Sequence, residues 1–279
     1  MVCVNKETMK FLNPINIFNT LWVYRELIWQ FTLREVQNRY KGSYLGIIWS
    51  IINPLFMLIV YTFVFGVVFK ARWGLQTSDN KAEFALTLFC GLIVFNIFSE
   101  CITRAPGLVI SNPNYVKKVI FPLEILPVSV LGSALIHTLI SLILLEIGTM
   151  LCLHKINLTI FMFPIIIMPV IFFSLGLSWL FSSLGVFIRD LMHGVSFLTQ
   201  VLFFMTPIFY PISAVPERYQ LVMKINPLTV IVEDSRSVLM WGQEPNWISW
   251  GIVTIASLIV MQLGYLWFMK SKRAFADVM

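Results

Sequence analysis

Leu33 to Phe69 reads LREVQNRYKGSYLGIIWSIINPLFMLIVYTFVFGVVF, and this stretch decides the fold. Arg34, Glu35, Arg39 and Lys41 crowd its first turns, whereas Gly42 to Phe69 carries no charge. As an α-helix the uncharged run would extend roughly 42 Å, enough to cross a hydrocarbon core of ~30 Å with some tilt. A charged entry into such a run sets Lys41 at one membrane face. Every later segment alternates from that anchor.

Composition agrees with this reading. Of 279 residues, 58% are hydrophobic and only 12% charged, about half the ~25% charge of a soluble domain. The apolar runs are far too long for barrel strands, so the expectation is an all-α integral membrane protein. The net charge of +6 follows membrane topology and does not point to nucleic acid. Cys3, Cys90, Cys101 and Cys152 show no metal-ligand or disulfide spacing, and three of them fall in or beside apolar spans as small hydrophobes. No metal site is expected. Residues 1–20 lack a basic start followed by an apolar run, so no cleavable signal is expected and the first span itself directs insertion.

Toward the N-terminus, residues 13–40 predict an amphipathic helix on the membrane surface, capped by Asn13-Pro14. Leu21, Tyr24, Leu27, Ile28 and Phe31 recur at helical spacing, with Arg25, Gln30, Arg34 and Asn38 on another side. Toward the C-terminus, six membrane spans are expected at 44–69, 84–103, 125–151, 156–187, 192–211 and 247–269. Ser50, Asn53 and Tyr61 share a polar face of the first span. Thr199, Gln200, Phe203, Thr206 and Tyr210 share one on the fifth. Such faces avoid lipid and meet either another helix or water. Glu100 and Arg104 stand one turn apart and predict a structural ion pair. His137 and Glu146 lie in or at the end of the third span with no ionic partner in sequence, which leaves a buried hydrogen bond and a substrate contact both open.

Residues 111–122, punctuated by prolines, predict a short amphipathic helix beneath the membrane. Residues 211–246 are too polar to span. Their apolar runs, broken by Pro227, predict two short re-entrant helices forming an external hairpin. Glu233-Asp234 within it reads as a solvated helix start near Arg236. Six spans put both termini on one face, and most Lys and Arg fall on that face, which makes it cytoplasmic. No G-x-x-x-x-G-K-[ST] and no hydrolase or metalloprotease motif is present, so ATP chemistry by that route and a catalytic site are not expected in this chain.

A set of residues carries a family resemblance. Arg34-Glu35, Arg39-Tyr40, Leu45-Gly46, Trp49 and Pro54-Leu55 open it. Asn112, Asn114, Lys117-Lys118, Phe121-Pro122 and Glu124 to Pro127 continue it. Phe187 to Leu191, Thr206 to Ile212, Asn226-Pro227-Leu228, Arg236 and Leu239 to Gly242 complete it. Together they resemble the ABC-2 permeases, most of all those that export O-antigen, capsule or teichoic acid. The resemblance implies a single transmembrane domain that moves a lipid-linked polysaccharide across the cytoplasmic (inner) membrane. It implies a homodimer, and a separate ATPase subunit that binds ATP and Mg, with no cofactor in this chain. It also makes 111–122 a coupling helix that docks on the ATPase through Asn112, Tyr115, Lys117, Lys118, Phe121 and Pro122. Arg189-Asp190 becomes a second contact, and the helix carrying Arg25, Arg34, Glu35 and Arg39 an interface element. The path is expected along Ser50, Asn53, Tyr61, Thr199, Gln200, Phe203, Thr206 and Tyr210. Exporters of a drug or small lipid, and an intramembrane enzyme of polyprenyl-linked glycan synthesis, are the alternatives.

Overall fold

The computed structural model describes residues 14–68, 81–116, 121–154 and 157–278. Among them the secondary structure is helical throughout, with no strand. The helices are α1 (Pro14–Val23), α2 (Arg25–Tyr40), α3 (Trp49–Tyr61), α4 (Lys81–Arg104), α5 (Pro113–Val116), α6 (Ile125–Leu153), α7 (Phe163–Ile166), α8 (Met168–Phe187), α9 (Leu191–Met205), α10 (Glu217–Ile225), α11 (Pro227–Leu239), α12 (Trp247–Ser271) and α13 (Phe275–Val278). Four continuous helical stretches, Ala82–Gly107, Ile125–Leu153, Leu158–Phe187 and Trp247–Val278, are long and apolar enough to cross a membrane. Trp49–Phe65 and Leu191–Met205 are shorter apolar helices at the places of the expected first and fifth spans. The chain is a multi-pass membrane protein.

Several boundaries differ from those read in the sequence, each for a local reason. The surface helix is interrupted at Tyr24, although Tyr24 N donates to Thr20 O and Ile28 N to Tyr24 O, so the helical path continues across the joint. The first span does not begin at residue 44. Gly42 and Gly46 hold φ of 85° and 48°, a left-handed backbone that glycine accepts readily, and regular helix starts only beyond them. Past Tyr61 the turns widen into a π-helix over Thr62–Val68. The fifth span ends at Met205 rather than 211. Pro207 disfavours helical backbone in the residue before it, and Thr206 is extended (φ −86°, ψ 135°).

α4 is the central element, mostly buried among its neighbours. It packs on α6, α8, α9 and α11. α8 and α12 form the most extensively packed pair. Glycine allows their contact: a Cβ on Gly176 would lie 2.6 Å from Met261 Cα, and one on Gly264 would overlap the Gly176 carbonyl oxygen. In lipid there is little hydrophobic drive to join helices, so such close backbone approach supplies the dispersion that does. Glu124, at the entry to α6, joins three spans on the interface-helix side. Its carboxylate accepts from Lys272 Nζ at 2.7 Å and its carbonyl from Trp179 Nε1 at 3.0 Å.

Candidate functional site

Polar residues within lipid-crossing helices need partners or water, and one set of them, on α3, α4, α6 and α9, lines two adjoining cavities. The first, of about 620 Å³, is lined by α2 (Asn38, Arg39), α3 (Ser50, Asn53, Tyr61), α4 (Asn96, Ser99, Glu100, Thr103, Arg104), α6 (His137, Thr138, Ser141) and Phe203 of α9. The second, of about 550 Å³, is lined by Tyr61 and Phe65, by Phe95, Asn96, Ser99 and Thr103, and by Ser196, Thr199, Gln200 and Phe203, with Phe209 at its end. Tyr61, Asn96, Ser99, Thr103 and Phe203 belong to both. Rings crowd this shared wall. Phe203 lies 6.1 Å from Tyr61, 5.1 Å from Phe95 and 5.0 Å from Phe209, centroid to centroid, and Phe65 stacks on Phe209 at 4.3 Å.

Six of the eight residues expected on the path therefore line cavities: Ser50, Asn53, Tyr61, Thr199, Gln200 and Phe203. Thr206 and Tyr210 do not, because both lie past the end of α9 where the helical repeat no longer holds. Thr206 is fully buried and accepts from Asn226 Nδ2 at 3.0 Å. The Tyr210 hydroxyl donates back to Phe204 O at 2.7 Å. The contribution of α4 was missed in the sequence. Asn96, Ser99 and Thr103 follow helical steps on one face, and Asn96 is exposed in an otherwise buried stretch. Their spacing was the available signal. His137 lines the first cavity, whereas Glu146 does not.

Charged residues on the interface-helix side form a ladder at one end of the first cavity. Arg39 Nη1 meets Glu100 Oε2 at 2.7 Å, Arg104 pairs with Glu35, and Arg104 Nη1 stands 3.9 Å from Glu100. The expected Glu100–Arg104 pair is thus one rung among three, and the other two cross from α2. One position before Glu35, Arg34 Nη1 donates to Tyr115 Oη at 2.7 Å. Tyr115 stacks on Phe121 at 4.4 Å, and Phe31 packs against both rings at 5.6 and 5.5 Å. Asn112 Nδ2 donates to Leu108 O, and Pro122 is buried. Lys117 and Lys118 lie outside the described residues. Arg189 and Asp190 are exposed in the turn before α9. Arg25 donates to Trp22 O at 3.1 Å with its guanidinium over that ring.

At the opposite side the two short helices α10 and α11 meet at Asn226-Pro227, where Asn226 Oδ1 caps Leu228 N. Glu233 and Asp234 are not a solvated helix start. They sit inside α11, with Glu233 Oε1 accepting from Arg236 Nη1 at 3.0 Å and Asp234 Oδ1 accepting from Asn246 N at 3.1 Å. Burial pushes the Asp234 carboxyl up to about 6. Arg236 is fully buried. It donates to the carbonyls of Thr87 (3.2 Å), Pro207 (2.7 Å) and Ile208 (2.8 Å). It bolts α11 onto both α4 and the buried segment that follows α9. Gly91 makes room, since a Cβ there would lie 2.6 Å from Arg236 Nη2. Among the described residues no cluster of His, Cys, Asp and Glu could hold a metal ion.

A family model described as ABC-2 type transporter matches residues 26–240, from the interface helix through α11. The chain belongs to that family. Relatives over most of its length include the O-antigen export system permease protein RfbA of Myxococcus xanthus, 28% identical over 83% of this chain and 87% of that protein. RfbA of Klebsiella pneumoniae is 28% identical over 91% of this chain and 95% of its own. The polysialic acid transport protein KpsM of Escherichia coli is 26% identical over 83% and 88%. The ABC-2 match takes in both cavities, the ladder and the Arg236 anchor.

Proposed function

We propose that this chain is the membrane-spanning permease subunit of an ATP-driven exporter, carrying a lipid-linked, O-antigen-like polysaccharide out across the cytoplasmic membrane. Two adjoining cavities with a mixed aromatic and polar wall carry the reading. Sugars present C–H faces to aromatic rings and hydroxyls to small polar side chains, and Tyr61, Phe203, Asn96, Ser99 and Gln200 offer both. The relatives' export roles support the same class of cargo. The chain supplies no ATPase of its own. It works as a homodimer with two ATPase subunits, which hold the ATP and Mg and dock on Asn112, Tyr115, Lys117, Lys118, Phe121, Pro122, Arg189 and Asp190. Both termini face the cytoplasm.

Disruption of the gene should leave the surface glycan missing and its lipid-linked form accumulating inside, with restoration by the intact chain. A surface glycan that persists unchanged would refute the export reading. Mass measurement of the purified complex tests the stoichiometry, and an active monomer free of ATPase would overturn it. Cysteine scanning of α3 and α9 with a water-soluble thiol reagent during ATP turnover tests the path. Labelling should recur on the faces of Ser50, Asn53 and Tyr61, and of Thr199, Gln200 and Phe203. Silent faces with reactive opposite sides would assign the stripes to packing.

A further inference from the structure

The ladder and the aromatic clamp sit on one helix. Arg34 and Glu35 are neighbours in α2, and Arg39 follows Glu35 by one turn. Arg34 grips Tyr115, Glu35 grips Arg104, and Arg39 grips Glu100. The last two pairs stand at the end of the first cavity, which Arg39, Glu100 and Arg104 line. Packing on α6 steadies the middle of α2, with Thr32 Oγ1 near Ser129 O at 3.4 Å. A rigid helix that holds two partners at once cannot shift against one without moving on the other.

We propose that the pairs Arg39–Glu100 and Glu35–Arg104 form a latch across the cytoplasmic mouth of the first cavity, released when movement of the Tyr115 segment is carried through Arg34 along α2. The latch rests on the export reading for its direction and its drive. The energetics suit a switch. Arg39 is 45% exposed and Arg104 36%, while Glu100 and Glu35 are 12% and 18% exposed. Guanidiniums with access to water exchange one partner for another at modest cost, whereas the shielded carboxylates give the closed state its preference. The four charges of the two pairs balance, so the closed latch carries no net charge. Arg39 and Glu35 are positioning residues for the mouth, with no contact to cargo required.

The test uses a chain whose four native cysteines are alanine, with Ser141→Cys in the cavity wall as reporter. Inverted vesicles expose the cytoplasmic face to a membrane-impermeant thiol reagent. Arg39→Gln or Glu100→Gln should raise the labelling rate about tenfold, within the range typical of coupled two-state elements. The exchange variant Arg39→Glu with Glu100→Arg should bring it back near the starting rate. Arg39→Lys, which keeps one charged donor, should fall between, and serves if the neutral variants fail to insert. Single variants that label at the starting rate would overturn the latch, as would an exchange variant no slower than the singles. With the ATPase subunit present, ATP should raise labelling, and Arg34→Met, which removes the donor to Tyr115, should abolish that rise while ATP hydrolysis by the complex persists. An intact rise in Arg34→Met would overturn the transmission, as would a rise lost together with ATP hydrolysis, which would assign Arg34 to docking. Labelling needs no glycan, so a latch that behaves as stated in a chain that exports no polysaccharide would sink the export reading alone.

Discussion

Replacing Arg236 with methionine should unseat α11. The guanidinium donates to Thr87 O, Pro207 O, Ile208 O and Glu233 Oε1, at 2.7 to 3.2 Å with no solvent exposure. Each charge-assisted bond contributes about 1.5–3 kcal/mol. Their sum is a ceiling, because the bonds act as a unit and the buried charge itself carries a desolvation cost. Breaking a buried pair by removing one partner costs about 3–5 kcal/mol, and that range is the expected loss. At ~2–4 °C per kcal/mol for a chain of this size, the unfolding midpoint of the detergent-solubilised protein should fall by roughly 10 °C. Arg236→Lys should recover little, since a single ammonium cannot serve the divergent carbonyls that the planar fork reaches. Arg218→Met is the control, as Arg218 is exposed and lies over the Tyr219 ring. A shift for Arg236→Met no larger than for Arg218→Met would refute the anchoring role.

Gly91→Ala should weaken the same anchor by displacing the guanidinium, with a midpoint drop smaller than that of Arg236→Met and no further drop when the two are combined; additive drops would show separate sites. Lys272→Met leaves the Glu124 carboxylate, 7% exposed, without its cation and should cost about 3 kcal/mol, most of it regained when Glu124→Gln is added, as read from thermal midpoints. Asp234 binds its proton more tightly folded than unfolded, since burial holds its carboxyl at about 6 against an ordinary value of about 3.9. Stability should therefore fall as pH climbs from about 4 to about 6 and level off above. Asp234→Asn keeps the acceptor for Asn246 N and should flatten that part of the midpoint-against-pH curve; an unchanged slope would assign it to another group.

Four of the six expected spans were legible because bilayer thickness imposes length on apolar runs, whereas Gly42 to Phe69 yields only the shorter apolar helix Trp49–Phe65. The break between α10 and α11 was legible because Pro227 cannot continue the helix before it, and the structure breaks there. Within helices, spacing found Glu100 with Arg104 and the polar face of α3. Spacing says nothing about partners on other helices, so Glu35 and Arg39 entered as interface residues and their crossing to α4 did not. Arg236 carries the same lesson. Its burial depends on Thr87, Pro207 and Ile208 converging from two other segments, which no local pattern encodes. Thr206 and Tyr210 fall outside both cavity linings for another reason: the three-to-four repeat of α9 does not cross Pro207, which disfavours helical backbone in the residue before it.

The Gly176–Gly264 crossing makes the chain brittle at a point that lines neither cavity. One added methyl group on Gly264 meets backbone, which cannot rotate away as a side chain would. Random substitution should thus meet two unlike regimes within one fold. The cavity walls, which border open space, have room for variety. The α8–α12 seam, where a change alters whether anything is built, has almost none. A lineage of such proteins is free to vary its cavity walls only while that seam stays bare.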